Sequence, residues 1–212
     1  MVDTSLYTAF LVAAFALCVT PGPDMMFIVA MGGRGGPSTG VMAALGVAFG
    51  ALVHAVAAML GLSALFLSLP VLYHVLRWAG AAYLLYLAVK AFRDRSGLGL
   101  DDEGTAATPG PTKLRAFGQG AVTNLLNPKV ILFNVAFLPQ FVNPSRGHVM
   151  GQLLVLGLTL VLLGLAVDAS IGLSAGRLSA MLRRSRRMAR GLDLFSGTVF
   201  AGLAVRLVAA PK

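Results

Sequence analysis

The sequence predicts an all-α, polytopic membrane protein with six transmembrane helices. Its 212 residues are 57% hydrophobic and only 12% charged, and the mean hydropathy of +0.82 exceeds what a soluble core needs. Each crossing of a hydrocarbon layer about 30 Å thick needs about 20 helical residues. Six apolar stretches of sufficient length are separated by polar or Gly/Pro-rich connections, at 6–31, 39–67, 71–91, 117–142, 149–175 and 192–210.

Polar breaks interrupt the first and the fourth of these stretches. They read Thr20-Pro21-Gly22-Pro23-Asp24 and Asn127-Pro128-Lys129. Proline lacks a backbone N–H and frees carbonyl groups of the preceding turn, which lipid cannot hydrogen-bond. Such breaks survive only where they face protein or a water-filled cavity, and paired breaks are typical of the substrate site of secondary transporters. We therefore expect a transporter with a binding site at bilayer depth.

The connection at 93–115 divides the chain into two halves. It is rich in Gly, Asp, Thr and Pro, lacks apolar periodicity, and is expected to be a flexible cytoplasmic linker. Residues 1–92 and 116–212 then hold three spans each, and each half opens with a broken helix. Because three is odd, the second half enters the membrane from the opposite side, which predicts two inverted repeats.

Basic residues concentrate in or beside the first, third and fifth connections, and the net charge of the chain is +9. By the positive-inside bias these connections are cytoplasmic and both termini face outward. The arginines at 183–190 lie beside a span, where basic clusters bind anionic lipid headgroups. We therefore predict a multi-pass protein of the bacterial inner (plasma) membrane that contacts lipid and binds no nucleic acid.

Four ionisable residues lie away from the ends of the predicted spans: Asp24, His54, Lys129 and Asp168. A charge at the centre of a bilayer costs at least about 2.5–3.5 kcal/mol, so such residues need partners or water. We expect Lys129 to hold a substrate carboxylate, helped by N–H groups after Pro128, while Asp24 and freed carbonyls receive an ammonium group. Because a carboxylate removed from water binds a proton more readily, Asp24 and Asp168 are candidates for proton coupling, and His54 is a third.

Structural roles remain open for the same residues. Asp24 and Lys129 could form a plain buried ion pair that fixes helix packing. His54 could bond a neighbouring helix, and Asp168 could cap the arginines that begin at Arg177. We expect the amides of Asn124 and Asn134 to form hydrogen bonds between helices.

Glycine pairs and missing motifs narrow the function further. Gly46 with Gly50, and Gly172 with Gly176, are small-xxx-small pairs that predict close helix packing and leave a homodimer open. One cysteine cannot form an internal disulfide, and with three histidines it does not assemble a soft-metal site. The sequence holds no Ser/His/Asp grouping and no phosphate-binding glycine loop. We therefore predict no enzyme activity, no cofactor and no metal site.

The two broken stretches resemble the LysE/RhtB family of amino-acid exporters. The resemblance rests on the first break, on the glycines that follow it, and above all on the second break with its continuation. These segments are Thr20-Pro-Gly-Pro-Asp24, Gly35, Gly36 and Gly40 leading into Gly46 and Gly50, and Asn127-Pro-Lys-Val-Ile-Leu-Phe-Asn134 with Phe137-Leu-Pro-Gln-Phe141. It covers nearly the whole chain.

The resemblance implies a six-span inner-membrane carrier that expels amino acids in exchange for protons. The proline motifs of the family map onto Pro21, Gly22 and Pro23 and onto Asn127, Pro128 and Lys129, which we take with Asp24 as candidate substrate-binding residues. Asp24 looks like the acidic variant of a position where other members carry Asn. The chain departs from the family at Ala88, where the preceding stretch commonly leads into glycine.

Three functions are therefore compared. The first is export of a neutral amino acid, branched-chain or hydroxylated, by proton antiport, since Lys129 would repel a basic substrate. The second is a cation or heavy-metal exporter on the same scaffold, and the third is a non-transporting membrane assembly subunit.

Overall fold

The computed structural model describes residues 2–68, 70–93 and 111–209, and within them all regular structure is helical. The α-helices are α1 Thr4–Val19, α2 Pro23–Gly35, α3 Pro37–Ser68, α4 Pro70–Arg93, α5 Lys113–Leu125, α6 Pro128–Leu132, α7 Val149–Arg184 and α8 Arg186–Ala209. A π-helical turn, Phe133–Phe137, and two 3-10 turns, Leu138–Phe141 and Pro144–Arg146, connect α6 to α7. Most of the predicted linker at 93–115 lies outside the described residues.

Both predicted breaks bend their helices. The axes of α1 and α2 differ by 48°, and α5 differs by 49° from the segment Pro128–Phe141. Thr20, Gly22 and Asn127 are extended at the breaks, and each following helix starts with a proline. Proline suits this position because the first N–H of a helix has no partner within it. The proline motifs therefore end one helix and begin the next at both places.

The polytopic helical class is confirmed. Three described helices are long and apolar enough to cross a membrane, and five spans result when each bent pair counts as one. The helix α4 is not among the five, but it occupies the place of the third predicted stretch. Its 24 residues would suffice for a crossing at about 1.5 Å per residue.

Helix packing follows the proposed division into halves. The helix α3 packs on α7, and α4 packs on α8, so each helix contacts the one that holds the same place in the other half. The helix α3 also packs on α5, as α7 packs on α1. Equivalent helices of the two halves therefore make equivalent contacts. This supports an inverted-repeat organisation, which remains a prediction.

Glycines bring the backbones of α3, α5 and α7 together. A methyl carbon added to Gly40 would lie 2.6 Å from the carbonyl oxygen of Gly172, and one added to Gly50 would lie 2.9 Å from that of Ala121. A methyl carbon added to Gly46 would lie even closer to the carbonyl oxygen of Phe117. A methyl carbon added to Gly176, by contrast, would meet no described atom within 4 Å beyond the backbone of its own helix. Three of the four predicted glycines therefore mediate helix contacts inside one chain.

Large side chains fill the end of the bundle where α1 begins and α8 ends. Phe10, Phe133, Phe137 and Phe141 are almost completely buried together with leucines of α7. The guanidinium of Arg206 lies over the Phe141 ring, 4.5 Å from its centroid. Such a cluster packs densely and excludes water.

The start of α1 is tied to the loop before α7. The Asp3 carboxylate caps α1, forms an ion pair with Arg146 at 3.2 Å and accepts a hydrogen bond from Asn143 at 3.3 Å. Hydrogen bonds from Ser5 and Leu6, with these loop contacts, lower the pKa of Asp3 to about 2. The carboxylate is therefore ionised at neutral pH and holds this end of the bundle together.

Gly172→Ala should separate α7 from α3, because its added methyl carbon would lie 2.6 Å from the carbonyl carbon of Gly40. Overpacking of this kind lowers the free energy of unfolding by about 1–3 kcal/mol. Gly176→Ala, one turn along the same helix, is the matched control because nothing lies within 4 Å of its added carbon. Thermal unfolding of both purified variants in detergent measures the difference, and equal unfolding temperatures would contradict the close contact.

Candidate functional site

A cavity lies between the two breaks. It spans about 620 Å³ of space between atoms, open solvent at its mouth included. It is bounded by the end of α1, the start of α2, the end of α5, α6, the π-helical turn, α3 and α7. Most of its wall is apolar, as at Val47, Phe133 and Val161. Its polar side chains come mainly from the breaks, so the cavity forms where the two helices are interrupted.

Lys129, at the start of α6, lies against the end of α1. Its Nζ donates hydrogen bonds to the carbonyl oxygens of Leu17 at 3.2 Å and Thr20 at 3.0 Å. These carbonyls have room for the ammonium because α1 ends here. The Leu17 carbonyl accepts from the Thr20 N–H at 3.3 Å and keeps a second lone pair, and proline interrupts the helix beyond Thr20. The negative end of the helix dipole also favours a cation at this place. Gly22 leaves room for the ammonium, since a methyl carbon there would lie 3.3 Å from Nζ.

Asp24, in the first turn of α2, is held by the other broken helix. Its Oδ2 accepts hydrogen bonds from the side-chain amides of Asn124 and Asn127, both at 2.8 Å. Asn124 lies near the end of α5 and Asn127 lies in the second break. The positive end of the α2 dipole stabilises the carboxylate as well.

Each charged group is thus bound by the opposite broken helix, and the two are not paired with each other. No ion pair within 4.0 Å joins Asp24 to Lys129 among the described residues, so the plain ion-pair alternative does not describe this arrangement. Asn127 connects the two sites. Its Oδ1 accepts from the backbone N–H of Lys129 at 3.0 Å and caps α6, while its Nδ2 donates to Asp24.

Unpartnered acceptors remain around the cavity. Asp24 Oδ1, Asn124 Oδ1 and Asn134 Oδ1 are buried and have no hydrogen-bond partner in the described part of the chain, and all three residues line the cavity. Asp168 lines it too, and its side chain forms no hydrogen bond or ion pair with the described residues, Arg177 included. A buried acceptor without a donor is costly. The cavity therefore favours a ligand rich in N–H donors.

The structure distributes the sequence-predicted residues between two roles. Gly22, Asp24, Lys129 and Asp168 line the cavity. Five others are not among its lining side chains: Pro21, Pro23, Asn127, Pro128 and His54. The three prolines shape the breaks and Asn127 positions Asp24, whereas His54 Nε2 lies 3.3 Å from the carbonyl oxygen of Asn124 on α5. His54 therefore contacts a neighbouring helix and reaches the cavity only through Asn124.

Two expectations about hydrogen bonding are corrected. The first N–H groups of α6 are occupied within the protein, because Asn127 accepts from Lys129, Val130 and Ile131. The carbonyls freed at the end of α1 receive Lys129 rather than remaining open. The chain folds back to satisfy its own backbone groups in the membrane interior, so both sets already have partners within the protein.

Hydrogen bonds between helices are expected from the side-chain amides of two asparagines, and only one of the two forms such a bond. Asn124 donates to Asp24 on α2, as predicted. The side-chain amide of Asn134 instead donates to Val130 within its own helical segment, at 3.0 Å. Sequence reasoning therefore missed the place of Asn134 in the cavity. The signal was available, since Lys129, Val130, Phe133 and Asn134 share one face of a helical segment.

The model of the LysE type translocator family matches residues 15–210, which include both breaks and every side chain of the cavity. The chain belongs to the LysE-type translocator family. The resemblance noted from the proline motifs is thereby confirmed, and the family description is that of a transport protein rather than an enzyme.

Relatives of this LysE-type chain are bacterial membrane and efflux proteins. An uncharacterized membrane protein of Pseudomonas aeruginosa is 33% identical over 98% of this chain and 96% of its own length. A leucine efflux protein of Salmonella typhimurium is 30% identical over 95% of this chain and 93% of its own length. An uncharacterized membrane protein of Bacillus subtilis is 36% identical over 73% of this chain and 76% of its own length. No solved structure matches the chain.

Asn127→Asp should destabilise the protein strongly, because it keeps the oxygen that caps α6 but places a carboxylate beside Asp24. We expect a loss of about 3 kcal/mol or more in the free energy of unfolding, as for an uncompensated buried charge. Thermal unfolding of the purified protein in detergent at neutral pH measures it.

Asn143→Asp is the matched control for this change. Asn143 also caps a short helix, through Ser145, and donates its amide to a carboxylate, that of Asp3, but outside the cavity. Solvent screening should keep its effect within about 1 kcal/mol. Equal losses in the two variants would show that burial of Asp24 between the breaks is not what makes Asn127 necessary.

Proposed function

We propose that this LysE-type protein exports neutral amino acids from the cytoplasm across the bacterial inner membrane. The observation that carries the proposal is the presence of two opposite charges, unpaired with each other, on the wall of one cavity. Lys129 offers a cation, and Asp24 offers a buried oxygen that lacks a partner. A zwitterion complements both groups at once.

The substrate contacts follow from the donors and acceptors of Lys129 and Asp24 that the described residues leave unused. A lysine ammonium has three N–H donors, and two are used on Leu17 and Thr20, so one remains for the α-carboxylate of a substrate. Asp24 Oδ2 is saturated by two amides, whereas Oδ1 remains for the α-ammonium. Ordinary amino acids carry these two groups on one carbon atom, which fits a site built from adjacent helix breaks.

The apolar wall favours a hydrocarbon side chain. Val47, Phe133, Leu160, Val161 and Leu165 line the cavity, and the contact of such residues with an aliphatic side chain gains hydrophobic free energy. Lys129 would repel a second cation, which argues against a basic substrate. The similarity to leucine efflux proteins supports the same choice. We therefore propose leucine and related neutral amino acids as the substrate class.

Proton antiport follows from the balance of charge in the cavity. Two carboxylates, Asp24 and Asp168, face one cation, Lys129, so one negative charge is uncompensated at a depth where charge is costly. A proton would balance it, whereas a zwitterionic substrate adds no net charge. The substrate ammonium would compete with the proton for the same carboxylates, so that binding of one disfavours binding of the other. Asp168 is the better proton carrier because its side chain has no hydrogen-bond partner among the described residues. His54, which contacts the Asn124 carbonyl, would influence the exchange through Asp24.

Counterflow of labelled leucine into proteoliposomes tests the export function. Vesicles that contain the purified protein and unlabelled leucine should accumulate labelled leucine, and arginine should not compete. Flux by the purified protein alone also separates a transporter from an assembly subunit. Absence of counterflow with leucine, threonine and alanine would refute the amino-acid assignment.

Asp168→Asn should uncouple transport from protons while leaving exchange intact, because the amide still fills its place but cannot carry a proton. In wild-type vesicles an imposed pH gradient should accelerate net leucine transport, and in the variant the gradient should have no effect. Asp3→Asn is the control carboxylate outside the cavity, and it should respond to the gradient as the wild type does. A gradient response preserved in Asp168→Asn would place the proton site elsewhere.

A further inference from the structure

We infer that Asn134 recognises the α-ammonium group of the transported amino acid through its side-chain oxygen. The inference rests on the proposed function and assigns a substrate contact to a residue of the π-helical turn. Asn134 is 2% exposed and lines the cavity, and its Oδ1 has no hydrogen-bond partner among the residues that the structure describes. Buried amide groups almost always have partners. This oxygen is therefore available to accept a hydrogen bond from a ligand.

The hydrogen bond made by the Nδ2 atom of Asn134 determines the orientation of its side-chain amide. Nδ2 donates to the carbonyl oxygen of Val130 at 3.0 Å. If the amide were turned over, two acceptors would face each other and the carbonyl would lose its donor. The oxygen atom therefore occupies the side without a partner. No other helix in the described chain supplies a group to this amide, so it does not hold helices together.

Pro139 explains why Asn134 lies where helix geometry changes. Proline cannot donate to the carbonyl of Val135, and its ring displaces the preceding turn. The helix widens, so that the N–H of Leu138 bonds the carbonyl of Phe133, five residues earlier. Widened turns of this kind occur often at functional sites. Here the widened turn begins at the two residues, Phe133 and Asn134, that face the cavity.

The position of Asn134 relative to Lys129 favours the ammonium group as its ligand. Both residues line the cavity on the same helical segment, with Asn134 little more than one turn beyond Lys129. The α-carboxylate and α-ammonium of an amino acid are attached to the same carbon, so adjacent positions on one wall can bind both. The walls from α3 and α7 are mainly apolar and fit the substrate side chain.

Asn134→Leu tests the inference because it keeps a similar volume and removes the acceptor. Leucine and 4-methylpentanoate, which is leucine without its amino group, compete with labelled leucine in the counterflow assay. The ratio of their half-inhibitory concentrations measures recognition of the ammonium group. We expect this ratio to shrink about tenfold in Asn134→Leu, since a lost hydrogen bond to a charged donor is of that order, with the affinity for 4-methylpentanoate unchanged.

Gln140→Leu is the matched control. Gln140 follows in the adjoining 3-10 turn, its Nε2 donates to the carbonyl of Ala136 four residues earlier, and its Oε1 is also buried without a partner. It does not line the cavity. The same amide is thus removed from the same segment, and the ratio should stay within twofold of the wild type.

The outcomes separate this inference from the proposed function. If the wild type shows no leucine counterflow, the proposed function fails. If the wild type transports leucine but Asn134→Leu keeps the wild-type ratio, or Gln140→Leu shifts it equally, the assignment of Asn134 is wrong. A loss confined to threonine and homoserine would likewise overturn it in favour of a hydroxyl contact. If Asn134→Leu does not elute as a folded protein, Asn134→Asp, which retains an acceptor, must preserve the discrimination, and its loss would refute the assignment.

Discussion

The structure depends on how two interrupted helices satisfy their polar groups inside a membrane. A break in a span exposes backbone carbonyls that lipid cannot hydrogen-bond, and each break here also carries a charge. Lys129 satisfies the carbonyls of α1, while the amides of Asn124 and Asn127 hold Asp24 at the start of α2. Each broken helix therefore completes the other. Loss of one partner would leave the other buried and unsatisfied, which is more costly than the bonds are favourable.

The cavity between the two breaks is bordered by different packing at its two ends. Towards one end, Phe10, Phe137 and Phe141 fill the bundle, and towards the other, glycine contacts such as Gly40 with Gly172 bring backbones together. Alternating access requires both sides of a site to open in turn. Glycine contacts can separate as backbones slide, whereas the aromatic cluster must rearrange side chains. The π-helical turn lies between the cavity and that cluster.

The family match and the chemistry of the cavity are independent observations about this protein. The first identifies a translocator, and the second favours a class of solute. The family match covers the whole cavity but does not assign a solute. The residual donors and acceptors at Lys129, Asp24 and Asn134 favour a zwitterion, and the apolar wall favours an aliphatic side chain. In the proposed mechanism the extra carboxylate, Asp168, carries the exchanged proton. Substitutions that alter selectivity should then differ from those that alter coupling.

The sequence by itself determined the helical membrane class, the two breaks and the buried charges, because hydropathy and proline act locally along the chain. It also marked Gly46, Gly50 and Gly172 as helix contacts. It could not decide that Asp24 and Lys129 pair with amides and carbonyls instead of each other, that His54 faces Asn124, or that Asn134 lines the cavity. Those outcomes depend on which helices become neighbours and on the widened turn before Pro139. Partners over 100 residues apart in the chain are chosen by packing, and only the tertiary structure contains that choice.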